Sequence, residues 1–526
     1  MHSLLLVALL LVPQALAARI GDAFGTNIHW TEAASGEAAL LATAYRVARM
    51  DFGWTGIEHV CGTYDFSAYD GLLATMEAVG VRPYWILDYN NEACYPSPGS
   101  SCSTSACIAG YGRFAAAAAA HFAGHGIIWE SVNEANGMGQ DNATTITALC
   151  QAAGPHFLAL GETFVGPTTA GIDFPYLNAT FQAGILSALS GVSVHPYRSG
   201  APESASAELR ELAALIASYR PGAADVLPIL SGEWGYTSAV KPCDYGNRVP
   251  RQLQGKYVPR MWMAALLGGA TVGINYDWKD DGDNISACES NFGSVTQSAG
   301  AVFTPKPAFL AARAFQQGVG GATAFAGRLA AKLQAPAAWQ LTDDSAFVLG
   351  FSEPGAAAFA VWTNVSTCVA ESAPGARRAC GGPAGVDEAG CLALGCCHDE
   401  APVAPDVPAC YFSLPQAASP GDCPAAERAD CGYNGIGQNE CISTRGCCWD
   451  ASPQPAGPQC FFHTNQLPGG PLNITFSVQP AAPAYACFDI VDVFGYARGA
   501  TCASEGELTI LATDGPQYLT QQTRRG

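Results

Sequence analysis

From Phe24 to Gln317 the chain alternates short apolar runs with longer amphipathic segments. Apolar runs with the length of strands fall at Phe24–His29, Tyr45–Met50, Val81–Leu87, Ile127–Val132, Thr163–Gly166, Val192–His195, Val226–Leu230 and Thr271–Tyr276. Continuous rather than alternating apolar character is what strands covered on both faces of a parallel sheet require. Helical stretches lie between them, among them Tyr69–Val79, Arg113–His121 (which carries the alanine run 115–120), Ser204–Tyr219 and Pro259–Leu267. Eight strands each followed by a helix predict an α/β fold of the (β/α)8 TIM-barrel type, with functional groups at the C-terminal ends of the strands. After Gln317 the pattern shortens to strand-sized runs (AWQLT, AFVLGFS, AAFAVWTN), and it resumes from Asn473 with NITFSV, CFDIVDVFG and ELTILAT. These read as one β-sandwich whose sequence is interrupted.

The polar residues at the barrel strand ends set the chemistry. The run IIWESVNEANG (127–137) passes from an apolar strand into Asn133-Glu134, and VLPILSGEWGY (226–236) repeats the design with Glu233 at its mouth. Two carboxylates delivered by two strands are what hydrolysis of a glycosidic bond uses, although either alone is more often a structural hydrogen-bonding group. The other ends present Asn27 and His29, Arg49 and Asp51, Asp88, Tyr89 and Asn90, His195 and Tyr197, and Tyr276, Asp277 and Trp278. Aromatic faces mixed with directional hydrogen-bonding groups suit sugars. Glu130 shares strand parity with Glu134 and is its rival; its place nearer the strand start fits a role inside the barrel. Glu58 and Glu92 lie on loops and rank lower.

Four segments in order, ARMDFGWTGIEHVCGTYDF (48–66), Asn133-Glu134, SVHPY (193–197) and SGEWGY (231–236), make the chain resemble the clan-A retaining glycoside hydrolases, nearest family 39 with family 5 as neighbour. The resemblance covers the barrel. It implies Glu134 as acid/base, Glu233 as nucleophile, Asn133 as the partner of a sugar 2-hydroxyl and Arg49 as the group that keeps the nucleophile ionised. His195 and Tyr197 would complete the polar net and Trp278 would floor the sugar site; His29 and Asn90, from their places at strand ends, are further candidate substrate contacts. Ala135 stands where many relatives carry proline. A charge on Glu233 is expected to raise the proton affinity of Glu134.

Between Cys368 and Phe462 two cysteine-dense repeats interrupt the sandwich. Each contains Arg-x-x-Cys-Gly, then Gly-Cys-Cys, then Cys followed by an aromatic residue, and each resembles a P-type trefoil module. The resemblance implies the pairs Cys368–Cys397, Cys380–Cys396 and Cys391–Cys410, then Cys423–Cys448, Cys431–Cys447 and Cys441–Cys460. His398 replaces the usual aromatic, the Cys423–Cys431 gap is short, and one extra residue precedes Gly446. Modules this small rely on disulfides for stability. Glycan contact and a protease-resistant spacer are both open roles for them.

The resulting domain expectation is a signal peptide over 1–17, a barrel over 18–320, sandwich segments over 321–366 and 470–522, and trefoil modules over 367–412 and 420–463. The apolar run Leu4–Val12, closed by Ala15-Leu16-Ala17, fits a signal-peptidase site and is too short to span a bilayer. The 21 cysteines agree with an oxidising compartment, secreted or endomembrane and lysosome-like. Cys487 and Cys502 are expected to bridge neighbouring strands, Cys94, Cys102 and Cys107 to stiffen a rim loop, and Cys243 to pair with Cys288. Sequons at Asn142, Asn178, Asn284, Asn364 and Asn473 mark glycosylation candidates. A net charge of −20 argues against nucleic acid as a partner.

No metal or organic cofactor is implied. Asp277–Asp283 imitates a calcium loop, but Lys279 occupies a ligand position and no Glu closes it. There is no His-Glu-x-x-His zinc motif, no Gly-rich phosphate loop and no Gly-x-Ser-x-Gly elbow. The expected activity is retaining hydrolysis of a neutral β-linked glycan, such as a cell-wall or extracellular glycan. The competing reading is a catalytically silent glycan-binding protein using the barrel cleft and the trefoils.

Overall fold

The computed structural model describes residues 19–522, except 98–100, 138–141, 223–225, 242, 244–246, 299–301, 335–342, 354–355, 480–481, 483–484 and 512; between 365 and 472 it describes only 387–393, 397–398, 409–411, 448–449 and 460–461. The expected signal peptide and most of the trefoil cysteine pairs lie outside the described residues.

Eight parallel strands close into a barrel in sequence order: β1 (Phe24–Asn27), β2 (Val47–Gly53), β3 (Arg82–Asp88), β4 (Ile128–Glu130), β5 (Thr163–Ala170), β6 (Gly191–His195), β7 (Ile229–Trp234) and β8 (Ala270–Asn275). Alternation along each strand sorts its side chains between the interior and the helical layer. On β3, Tyr84 points among Arg49 and Glu130, while Trp85 packs against Tyr69, Phe122 and Trp129. Phe52, Trp85 and Trp129 thus form an aromatic layer under the helices Ser67–Val79 and Ser105–His121, where each ring removes a large apolar area from water.

Two strand readings shift. The fourth strand is only three residues long, so Val132 to Asn136 form a turn rather than its continuation. The seventh begins at Ile229 and runs through Glu233, while Val226, read as its start, is half exposed. Pro259, read as a helix start, lies inside the helix Arg251–Leu267.

The chain divides into two compact units. One takes residues up to 197 with 204–234 and 261–276, and holds the barrel strands; the other takes 198–203, 235–260 and everything from 277 onward. In the second unit a hairpin, β9 (Val295–Ser298) and β10 (Val302–Pro305), precedes the sandwich. One sheet of the sandwich has six strands in the order β11 (Ala324–Arg328), β13 (Ala346–Glu353), β14 (Ala356–Thr363), β23 (Gln517–Gln521), β20 (Cys487–Val491) and β21 (Ala497–Cys502). The facing sheet has β12 (Ala331–Gln334), β19 (Asn473–Ser477) and β22 (Glu507–Leu511). Val348, Phe359, Ile474, Phe476, Phe488 and Leu519 build the core between them, so residues from both sides of the interruption share one apolar interior.

Within that unit the carboxylate of Glu203 takes the Nε–Nη2 edge of the Arg260 guanidinium at 2.7 and 2.8 Å and the Trp362 indole N–H at 2.8 Å. In the trefoil region, β15 (Cys397–His398) pairs with β16 (Cys410–Tyr411), and β17 (Cys448–Trp449) pairs with β18 (Cys460–Phe461). Cys391 is bridged to Cys410, and Leu392 is buried among Ala311, Val493 and Phe494. Cys487 bridges Cys502 directly across β20 and β21. Of three further bridges, Cys61–Cys94 and Cys243–Cys288 tie loops that follow barrel strands, and Cys102–Cys107 ties such a loop to the first turn of the helix Ser105–His121. Among the described residues no helix is long and apolar enough to cross a membrane.

Candidate active site

The site grows outward from Arg49, an inward residue of β2 that is 1% exposed. Its Nε and Nη2 both donate to Glu130 Oε1, Nη2 also to Asn133 Oδ1 at 2.7 Å, and Nη1 to Glu233 Oε2 at 2.7 Å. Burial disfavours the Arg49 charge, but Glu130 and Glu233 outweigh burial and hold it well above its ordinary proton affinity. Glu130, with no exposed surface, also accepts from Tyr84 Oη and from Ser193 Oγ, the latter at 2.7 Å. Although it is the last residue of the short β4, Glu130 thus lies beneath the rim among interior partners.

The turn after β4 presents the first rim carboxylate. Asn133 N–H donates to Asp88 Oδ1 at 2.9 Å, which pins the turn to β3. Burial holds the Asp88 carboxyl well above the usual range, with the neighbouring Asp51 acting in the same direction. Glu134 has φ +46°, a left-handed conformation that costs a non-glycine residue of order 1–3 kcal/mol and persists only where its surroundings enforce it. Here Gly137 N–H closes onto Glu134 O at 2.6 Å and Ala135 N–H onto Thr168 O at 3.2 Å.

The Glu134 side chain meets fully buried His195, whose Nδ1 lies 2.8 Å from Oε1. His195 Nε2 is 3.3 Å from Arg49 Nη2, a permanent donor, so Nε2 accepts and Nδ1 carries the proton given to Glu134. Burial raises the proton affinity of Glu134, but the His195 hydrogen bond and the electrostatic pull of His195 Nδ1–H and of the Arg49 charge outweigh it, and the carboxyl lies below its ordinary value. This corrects the sequence expectation of a raised Glu134: the donors around it act more strongly than any neighbouring carboxylate.

The second rim carboxylate, Glu233, stands where β7 loses register against β8 between Ser231 and Trp234. Such an irregularity re-aims a side chain. Its Oε2 accepts from Arg49 and, at 3.2 Å, from Asn27 Nδ2, and its Oε1 accepts from Tyr197 Oη at 2.8 Å. Burial and then Glu233 push the Tyr197 phenol well above its ordinary range, so it serves as a donor. The preceding residue is glycine for a steric reason: a Cβ at Gly232 would sit 2.4 Å from Ser193 Oγ and 2.9 Å from Glu130 Oε2.

A ring nitrogen of His195 and one carboxylate oxygen each from Glu134 and Glu233 lie within 4.8 Å of one another. By distance these three could face a cation, but Arg49, bonded to the same Glu233, already supplies positive charge there and would repel one.

Arg49, Asn133, Glu134, His195, Tyr197 and Glu233 are thus brought together. His29 is exposed and meets Tyr276 edge-on at 5.9 Å. Asn90 is half-buried and reaches Glu92 at 3.5 Å. Trp278 is a correction: it has no exposed surface and packs against Phe303 and Phe309, so its face is not available to floor a sugar site. Tyr84 was not singled out in the sequence, although its alternation with Ile86 and Asp88 marks it as an inward residue. Tyr89, 41% exposed, places Oη 3.4 Å from Asn133 Nδ2.

The trefoil (P-type) domain family matches residues 368–413 and 422–463. No curated protein matches the chain by sequence. Among solved structures, the chain is similar to a family 39 glycoside hydrolase from the gut symbiont Bacteroides cellulosilyticus WH2, at TM-score 0.62 and 16% identity over 96% of this chain and 81% of that one. It is also similar to a glucosidase from Croceicoccus marinus, at TM-score 0.52 and 10% identity over 96% and 97% of the two chains. A family 30 subfamily 8 xylanase from Clostridium acetobutylicum gives TM-score 0.51 and 10% identity over 95% and 96%. At these identities the likeness is one of fold, and the chain combines the barrel and sandwich of such hydrolases with an inserted pair of trefoil domains.

Proposed function

We propose that this protein is a retaining β-glycosidase acting on a neutral β-linked glycan. The observation that carries the reading is the pair of rim carboxylates, Glu134 and Glu233, with oxygens within 4.8 Å of each other around one buried arginine. Retaining enzymes hold their carboxyl groups about 5–5.5 Å apart and inverting ones about 6.5–9.5 Å, leaving room for water. In this mechanism a Glu233 oxygen attacks the anomeric carbon as Glu134 gives its proton to the departing glycosidic oxygen. Glu134 then takes a proton from water, whose oxygen displaces Glu233 and restores both carboxyl groups.

Arg49, Tyr197 and Asn27 orient the attacking carboxylate. Asn133, its carbonyl held by Arg49, offers a sugar hydroxyl the amide N–H that it does not give to Tyr89 Oη. The guanidinium of Arg49 is committed to protein acceptors and no lysine precedes Lys241, which favours an uncharged sugar over a uronic acid. The disulfides and the leader-like residues 1–17 support a secreted or endomembrane enzyme. Glycan contact by the trefoils fits the same setting.

The test is a screen of purified protein on aryl β-glycosides and plant and algal polysaccharides, with Glu233→Gln alongside. Turnover that vanishes in the variant is the expected result, and turnover that persists removes Glu233 from its role. Silence from both, with glycan-array binding retained, would favour the binding-protein reading.

A further inference from the structure

We propose that Glu130 is a positioning residue that sets how Arg49 divides its charge between the barrel interior and Glu233. The inference rests on the glycosidase reading and deepens it. Arg49 makes its two-pronged contact, Nε with Nη2, to Glu130, and gives Glu233 a single bond from Nη1. A guanidinium is held most firmly by the carboxylate that takes its forked edge. Glu130 is in turn fixed by Tyr84 from β3 and Ser193 from β6, with no exposed surface. The absent Cβ of Gly232 is what lets β7 lie against this cluster, since any side chain there would strike Ser193, Glu130 and Tyr84.

The charged and titratable groups around Glu130 are Arg49 from β2, Tyr84 and Asp88 from β3, Glu134 beyond β4, His195 from β6 and Glu233 from β7. Three of them are carboxylates of the site and one is a permanent cation, so the negative charge of Glu130 acts in two ways. It neutralises part of Arg49, so that the single bond to Glu233 comes from a guanidinium whose charge is shared. It also opposes ionisation of Glu134, the direction a proton donor needs. A packing residue of the same shape would do neither.

The charge-removing variant Glu130→Gln separates these roles. With the negative charge gone, ionisation of Glu233 and of Glu134 is favoured together. Both limbs of the kcat/KM–pH profile on an aryl β-glycoside then move toward acid by about one pH unit, with the width of the bell kept. Glu130→Asp keeps the charge but shortens the fork; it lowers kcat/KM about tenfold or more and leaves both limbs in place. A profile that loses height in Glu130→Gln without moving would mean that Glu130 only packs, and would overturn the proposal. Should Glu130→Gln fail to fold, as judged by its melting transition, Glu130→Asp decides: displaced limbs overturn the proposal, and unmoved limbs with lowered height support it. Wild-type protein is measured alongside. No turnover by wild type removes the glycosidase reading and this proposal with it, whereas an active wild type with an unmoved Glu130→Gln bell removes this proposal alone.

Discussion

His195→Phe should extend activity toward higher pH even as it lowers the maximum. In the free protein His195 Nδ1–H donates to Glu134 Oε1 at 2.8 Å and is the largest influence holding that carboxyl below its ordinary value, against the opposing effect of burial. Phenylalanine fills the buried space with a ring but has no donor. A hydrogen bond to a charged group contributes about 1.5–3 kcal/mol. The Glu134 side chain is 32% exposed, so water recovers part of that on substitution, and about 1–1.5 kcal/mol remains, or about one pH unit.

The sign follows from which form works. In the proposed mechanism Glu134 carries a proton to release the leaving group, so the alkaline limb of kcat/KM would track its proton loss in the free protein. Removing the donor raises its proton affinity, and that limb moves up by about one pH unit while the acid limb stays. The assay is the pH profile of kcat/KM on an aryl β-glycoside for wild type and variant at constant ionic strength. An alkaline limb that stays in place or moves down would refute the reasoning. Because Glu130→Gln is expected to move the same limb the other way, the two variants check each other.

Gly232→Ala should damage the site and the fold together, since its Cβ would displace Ser193 from Glu130. Overpacking costs about 1–3 kcal/mol, which would register as a lowered melting temperature, and an ångström of movement at Glu233 would lower kcat about 100-fold. A variant with wild-type kcat would show that β7 can shift freely. In the second unit, Glu203→Gln removes one partner of a buried ion pair with Arg260 and should cost about 3–5 kcal/mol at neutral pH, read by denaturant unfolding. Burial opposes the Glu203 charge but Arg260 outweighs it, so this carboxyl lies below its ordinary value of 4.5 in the folded chain. The stability it contributes is therefore complete above about pH 4.5 and is lost as pH falls through the lower folded value, so the gap between wild type and variant should close in that acid range.

Much of this was legible because barrel strands carry a strong signal: apolar runs that end in polar residues where the strand meets the rim. Asn133-Glu134 and His195-Pro196-Tyr197 stood out for that reason. The seventh strand was harder, because Ser231-Gly232 reads as loop punctuation, and only the crowding of Ser193, Glu130 and Tyr84 explains a glycine inside a strand. Trp278 misled because an aromatic at a strand end has the same sequence signature whether its ring faces a cleft or packs among Phe303 and Phe309. The ionisation of Glu134 could not be read from residue types, since it depends on a 2.8 Å contact to a histidine distant in sequence. Likewise Pro259 is a helix starter by propensity, yet the helix begins eight residues earlier, at Arg251.

The strand order of the larger sandwich sheet bears on how the chain is made. Its last strand in sequence, β23, is not an edge but sits between β14 and β20, pairing Leu519 with both Phe359 and Ile490. During synthesis β14 leaves the ribosome more than 150 residues before that partner, and both trefoil domains emerge in the interval. Until Gln517–Gln521 arrives, β14 has an open edge, the kind of surface that invites pairing with another chain. Proteins truncated before Gln517 would lack the centre of that sheet, and their fate should be aggregation or degradation rather than accumulation in a slightly shortened fold.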